Sequence, residues 1–198
     1  MVPAGRGLRS RPGAAYGPWG PGRPGWHAEC AAMALDAFGP AVDVQAGGAD
    51  LRFPHHAYQA AMAEALTGVT PFARARLQTA VVTVGGAKMA KSAGNLVLVK
   101  DLLARYPTAA VRMLILDRRW AADWDYHPRD LEHAAARAGR LSAAAGRPSR
   151  GAPGSGDAAR AAIRSALARD LDVPAALEIA EEAGGGAARE LGDLLSLR

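Results

Sequence analysis

Residues 20–30, GPGRPGWHAEC, and residues 43–56, DVQAGGADLRFPHH, carry the pattern on which the fold is read. After the first string, Ala28, Ala31, Ala32, Leu35 and Phe38 recur at helical spacing, and Gly39-Pro40 stops the run, so residues 27–38 are predicted to form a helix with Cys30 in its first turn. Residues 41–45 read as a short strand that enters a glycine-containing turn at residues 46–50. A second helix follows, with Pro54 in its first turn and Gly68 just past its end. Together these make a strand, turn and helix unit.

Further along, the β-branched run of residues 79–84 predicts another strand, broken by Gly85-Gly86 before a polar loop that carries Lys88 to Asn95. The character then turns helical, with segments at residues 100–105 and 108–119. Residues 147–156, RPSRGAPGSG, have linker composition, and the remainder repeats Ala, Leu, Arg and Glu at helical spacing with interruptions at Pro174 and at residues 184–186. The expected organisation is an irregular lead-in over residues 1–18, an α/β part over 19–106, a helical region over 107–146, a linker over 147–156 and a helical tail over 157–198. No internal repeat is present.

Composition narrows the class. Of 198 residues, 49% are hydrophobic and 22% charged, as in a globular protein, which excludes disorder of the whole chain. Lys and Arg number 24 against 19 Asp and Glu, and the net charge of +5 is compatible with a nucleotide or tRNA partner without requiring one. Lysine is sparse, yet Lys88, Lys91 and Lys100 are bunched. Cys30 is the single cysteine, which excludes an intrachain disulfide and suits a reducing compartment. No apolar run approaches the ~20 residues of a membrane span, and the N-terminus has no signal-peptide pattern. A cytoplasmic protein without a membrane partner is expected.

Two constellations have the residue types for chemistry. Cys30 with His55-His56 offers a thiolate and imidazoles, which are good zinc ligands, although residue types alone favour a small buried cysteine and surface or capping histidines. Lys88, Lys91 and Ser92 share a loop after a strand, where two ammonium groups and a hydroxyl can neutralise phosphate oxygens; an exposed basic loop is the plain alternative.

The strings around these residues resemble the cysteinyl-tRNA synthetase family of class I synthetases, and within it the mycothiol-pathway cysteine ligases. GPGRPGWHAEC and DVQAGGADLRFPHH are similar to the zinc-site region of that family, and Lys88-Met89-Ala90-Lys91-Ser92, followed by Gly94-Asn95, resembles the KMSKS signature with Ala90 in place of its first serine. The resemblance implies that Cys30 and His55 bind zinc and that Lys88, Lys91 and Ser92 serve the triphosphate. It also implies that Trp26 lines the adenylate pocket, that Gly48, Ala49 and Asp50 hold the ribose and adenylate, and that Val82 meets the adenine edge. Order and separation over residues 19–98 make the set far more specific than any one motif. The match continues more weakly through WAADWDY, residues 120–126, and DLDVPAAL, residues 170–177.

Three features favour the ligase branch. Gln59, a poor zinc ligand, stands four residues after His55 where synthetases place a glutamate; the chain ends soon after its helical segment; and the two weaker stretches look like the ligase's helical tail. The implied activity is ATP-dependent activation of L-cysteine and its ligation to the amine of glucosaminyl-inositol, with tRNA as the alternative acceptor. Residues 1–25 hold no HIGH-type signature, and the chain has no second cysteine for the third zinc ligand. The expectation is therefore the C-terminal half of the enzyme: a fragment, a half completed by a separate N-terminal chain, or a noncatalytic relative that binds nucleotide or protein. The fold expected is α/β, a partial class I synthetase Rossmann-like catalytic domain followed by an α-helical bundle.

Overall fold

The computed structural model describes residues 15–17, 20–22, 25–151 and 154–197. The chain divides into two compact units, residues 1–78 and 79–198. The expected irregular lead-in falls largely outside the described residues; within it, β1 (Ala15–Gly17) pairs antiparallel with β2 (Gly20–Gly22).

In the first unit, α1 (Trp26–Phe38) begins one residue before the predicted start and carries Glu29 in its first turn, where a negative charge favours the helix dipole. Gly39, at φ +83°, ends the helix by donating its N–H to the Leu35 carbonyl at 3.0 Å. The predicted apolar face is only partly used: Ala31 is buried, whereas Phe38 is 73% exposed. β3 (Val42–Gly48) runs three residues past the predicted strand, so the expected turn is shorter and consists of a 3₁₀ turn at Ala49–Leu51 and a wide turn at Arg52–His56. Pro54 therefore precedes α2 (Ala57–Thr67) instead of lying in its first turn. Gly68, at φ +70°, caps α2 by bonding to the Glu64 carbonyl.

α2 lays Ala60 and Ala63 against Ala34 and Leu35 of α1, and these small side chains let the helices approach closely around Phe72, which is 2% exposed. β4 (Ala73–Thr79) is hydrogen-bonded to β3, and the Val42 amide donates to the Phe72 carbonyl at 2.8 Å, fixing the start of that pairing. The Arg74–Asp43 bridge across the two strands is exposed on both sides and adds little stability.

In the second unit, β5 (Val82–Val84) and β6 (Ala87–Lys88) form a hairpin about Gly85 and Gly86, both at positive φ, which is where a two-residue turn demands glycine. The predicted strand over residues 79–84 is thus divided between the end of β4 and β5. A 3₁₀ turn at Lys91–Ala93 leads to α3 (Val99–Leu103) and α4 (Thr108–Leu116). β7 (Trp124–Asp125) then lies parallel to β5, with Val82 opposite Trp124 and Thr83 opposite Asp125.

The rest is a helical bundle of α5 (Pro128–Gly146), α6 (Ser155–Ala168), α7 (Val173–Ala183) and α8 (Gly185–Leu194). Leu131, Leu141, Leu177 and Leu191 anchor its core together with Met113 and Leu114 of α4. Pro174 does not interrupt α7: it occupies the first turn, where its missing N–H costs nothing, and Asp172 caps that turn by accepting from the Ala175 amide. Gly184 does break the run, and a side chain there would meet the Ala144 carbonyl and Arg147. Arg137, with its side chain 15% exposed, binds Asp117 just after α4 and Glu181 of α7, so its charge is doubly paired. Among the described residues no helix is long and apolar enough to cross a membrane.

Candidate functional site

The first unit gathers its functional side chains around His55, which is 5% exposed in the turn before α2. The Trp26 ring, from the start of α1, stacks on the His55 imidazole at 3.6 Å between centroids and 11° between planes. His27 Nδ1 lies 2.6 Å from His55 Nδ1, and the Gln59 side-chain nitrogen lies 2.8 Å from His55 Nε2. Gln59 in turn accepts from the side-chain nitrogen of the buried Gln45 at 2.8 Å. Both nitrogens of His55 are thus engaged. Burial, followed by the positive fields of His27 and His56, holds its pKa below the usual imidazole value, which favours the neutral ring with a lone pair to give.

His56 is equally buried and packs against Gly47; a Cβ there would stand 2.8 Å from His56 Cε1, so the strand can pass only as glycine. Its pKa is lowered by burial and by Arg76, with Asp50 opposing. Gly48 ends β3, Ala49 and Asp50 follow in the 3₁₀ turn, and a side chain on Gly48 would collide with the Asp50 carboxylate.

Cys30 is partly exposed, four residues after Trp26 and three after His27, and hence on the side of α1 that carries both aromatic partners of His55. Thiol and imidazole are the right donor chemistry for zinc. Their number falls short: among the described residues no group of three His, Cys, Asp or Glu side chains comes together to hold a metal.

In the second unit Lys88 ends β6, exposed, and Lys91 and Ser92 open the following 3₁₀ turn, also exposed. The loop between them is closed by Asn95. Its side-chain oxygen accepts from the Ala90 amide at 2.9 Å, and its side-chain nitrogen donates to the Lys88 carbonyl at 3.1 Å. The Met89 amide donates to the Val82 carbonyl at 2.9 Å, so the backbone of Val82 is tied to the loop itself. Position 90 contributes through its amide, and the hydroxyl absent from Ala90 takes no part in this closure.

Reading by residue type did not reach His27, Gln45 or the bonding of Asn95. The His27–His55 and Gln45–Gln59 contacts join residues 28 and 14 apart in sequence, and nothing local encodes them. The two weakly matching stretches do meet: Trp120 Nε1 donates to the Asp170 carbonyl at 3.0 Å, and Arg119, just before the first stretch, pairs with Asp170 and Asp172.

The profile of the family described as tRNA synthetases class I (C) catalytic domain matches residues 10–136. The chain belongs to that class I synthetase family. Over 178 residues it is 49% identical to the L-cysteine:1D-myo-inositol 2-amino-2-deoxy-alpha-D-glucopyranoside ligase of Acidothermus cellulolyticus, covering 89% of this chain and 43% of that protein. The ligase of the same name from Frankia alni is 46% identical, covering 85% of this chain and 42% of the relative. The chain thus spans less than half the length of these relatives. Among solved structures, a LeuRS–tRNA–LeuAMS ternary complex of Agrobacterium radiobacter K84 aligns with a TM-score of 0.57 at 16% identity, covering 80% of this chain and 25% of that one. That likeness extends to the fold alone, and it is the fold expected: part of a class I synthetase catalytic domain with mixed α/β structure, followed by helices.

Proposed function

We propose that this class I family chain is the C-terminal part of an ATP-dependent ligase that activates L-cysteine and joins it to the amine of glucosaminyl-inositol. The observation that carries the reading is the 49% identity, over 89% of this chain, to a protein named for that ligation. The first step forms a bond between the cysteine carboxylate oxygen and the α-phosphorus of ATP and releases pyrophosphate. In the second the acceptor amine attacks the activated carbonyl, loses its proton, and AMP leaves as the amide forms.

In the first unit, Cys30 and His55 hold two positions of a zinc site. Zinc, when bound, supplies a Lewis acid with affinity for the substrate thiolate, which distinguishes cysteine from serine by direct ligation. The neutral, buried His55 suits that role, and the Trp26 ring stacked on it holds its plane. The Gln59 amide nitrogen donates to His55 Nε2, a bond that zinc at that nitrogen would replace. Trp26 lines the adenylate pocket, and Gly48, Ala49 and Asp50 receive the ribose and adenylate, where the crowded glycines keep the strand end bare.

In the second unit, Val82 meets the adenine edge and Lys88, Lys91 and Ser92 serve the triphosphate. Their exposed position on a backbone-closed loop suits charge neutralisation as pyrophosphate departs. The proposed organisation keeps an α/β part over residues 19–106, a helical region over 107–146, a linker over 147–156 and a helical tail over 157–198.

The acceptor is tested by product. The chain is mixed with the N-terminal half of a ligase relative, cysteine, ATP and either glucosaminyl-inositol or tRNA, and products are weighed by mass spectrometry. The cysteinyl amide of glucosaminyl-inositol is expected; cysteinyl-tRNA alone would overturn the acceptor assignment.

A further inference from the structure

The hairpin that carries Lys88 and leads to Lys91 is gripped from outside by residues 120–126. β5 and β6 share only two register pairs, Thr83 with Lys88 and Val84 with Ala87, too few for a hairpin to stand alone. The Ala80 amide donates to the Trp120 carbonyl at 2.9 Å, the Val81 amide to the Asp123 carboxylate at 2.7 Å, and the Tyr126 amide to the Thr83 carbonyl at 2.8 Å. At the centre of this grip stands Asp125. Its Oδ1 accepts from the Thr83 hydroxyl at 2.5 Å and from the Gly86 amide at 3.0 Å, while Oδ2 lies 3.4 Å from His127 Nε2. One carboxylate therefore bonds both the strand and the turn of the hairpin.

Among the described residues the Lys91 ammonium has no hydrogen-bond or ion-pair partner, so it stands where the backbone puts it. That backbone is fixed at one end by Asn95 and at the other by the hairpin. We propose that Asp125 is a positioning residue for the lysine loop: by locking the β5–β6 turn to β7 it sets where Lys88 and Lys91 stand. The inference rests on the proposed role of that loop toward the triphosphate. The Thr83 hydroxyl bond, followed by the Gly86 amide bond, holds the Asp125 carboxyl below the usual carboxylate range, so at neutral pH it acts as a charged acceptor, the stronger kind. Arg119 and Trp120, at the head of the same segment, bind the residues before α7, which secures the grip to the bundle.

The test uses the full chain with Asp125→Ala and Asp125→Asn, and reads native-state trypsin cleavage after Lys88 and Lys91 beside the thermal midpoint. Asp125→Ala is expected to speed cleavage at both sites by about tenfold or more with little change in the midpoint. Asp125→Asn keeps an oxygen for Thr83 and Gly86 and should stay within about threefold of the parent. Should Asp125→Ala fail to fold, Thr83→Val, which removes one of the two bonds, decides by the same ratio. Unchanged cleavage, or faster cleavage matched by a falling midpoint, overturns the assignment. A second readout is cysteine-dependent ATP–pyrophosphate exchange with a ligase N-terminal half: Asp125→Ala should lower kcat and leave the KM for cysteine unchanged, and a loss confined to that KM counts against it. Absence of exchange with the parent chain would instead remove the functional reading, with the cleavage ratio still deciding the latch.

Discussion

Gln59 stands four residues after His55, and its amide nitrogen lies 2.8 Å from the Nε2 of that ring. That nitrogen donates into the Nε2 lone pair, the one a neutral imidazole would offer a metal, so a metal at Nε2 has to displace it. Gln59→Ala is accordingly expected to bind zinc at least as tightly as the parent, measured by chelator competition on the chain combined with a ligase N-terminal half, while Cys30→Ala abolishes binding. At this scale much of the site was legible. Trp26, Cys30 and His55 were singled out from the strings that contain them, and the structure stacks the first on the third. His27 and Gln45 were not singled out, because their importance lies in contacts made across the fold.

The β5–β6 hairpin was half legible. Gly85-Gly86 announced the turn, but Ala80 and Val81, read as strand, bond instead to Trp120 and Asp123. All of β4 but Thr79 was missed, because residues 73–78, ARARLQ, hold none of the β-branched and aromatic residues by which strands are recognised; the strand is held by pairing with β3. Pro174 was read as a break and proves to be a first-turn proline, since Asp172 supplies the cap that begins the helix there. The depressed pKa of Asp125 gives the hairpin a pH dependence with a definite sign. A carboxylate whose folded value lies below its unfolded one stabilises fully above the unfolded value of about 3.9 and loses that contribution as pH falls through the folded value. Protection of the Gly86 amide against exchange, followed by NMR, should hold down to about pH 4 and decline below it. Protection constant to lower pH would show that the carboxylate does not hold the turn.

The two units differ in what they bury. Among the described residues the first has a core of Ala60, Ala63, Phe72 and Ala73, and the second buries nineteen hydrophobic residues in one cluster, among them Leu131, Leu177 and Leu191. Amides of α5, α7 and α8 should therefore exchange most slowly and those of α1 and α2 sooner. Leu177→Ala, at a fully buried position, should destabilise the second unit by about 2–5 kcal/mol in denaturant unfolding. The change of character from α/β to helix was plain from the sequence, because helical periodicity is a local signal. The division after Gln78 was not, since no change of composition marks it.

The proposed function makes this chain part of a cysteine-activating enzyme. Its most direct measurement is cysteine-dependent ATP–pyrophosphate exchange, with zinc, by this chain alone and mixed with a ligase N-terminal half. Exchange is expected in the mixture, lowered at least about a hundredfold by Lys91→Ala and likewise lost with Cys30→Ala. A folded mixture that exchanges nothing, or that exchanges equally well with both variants, would contradict it.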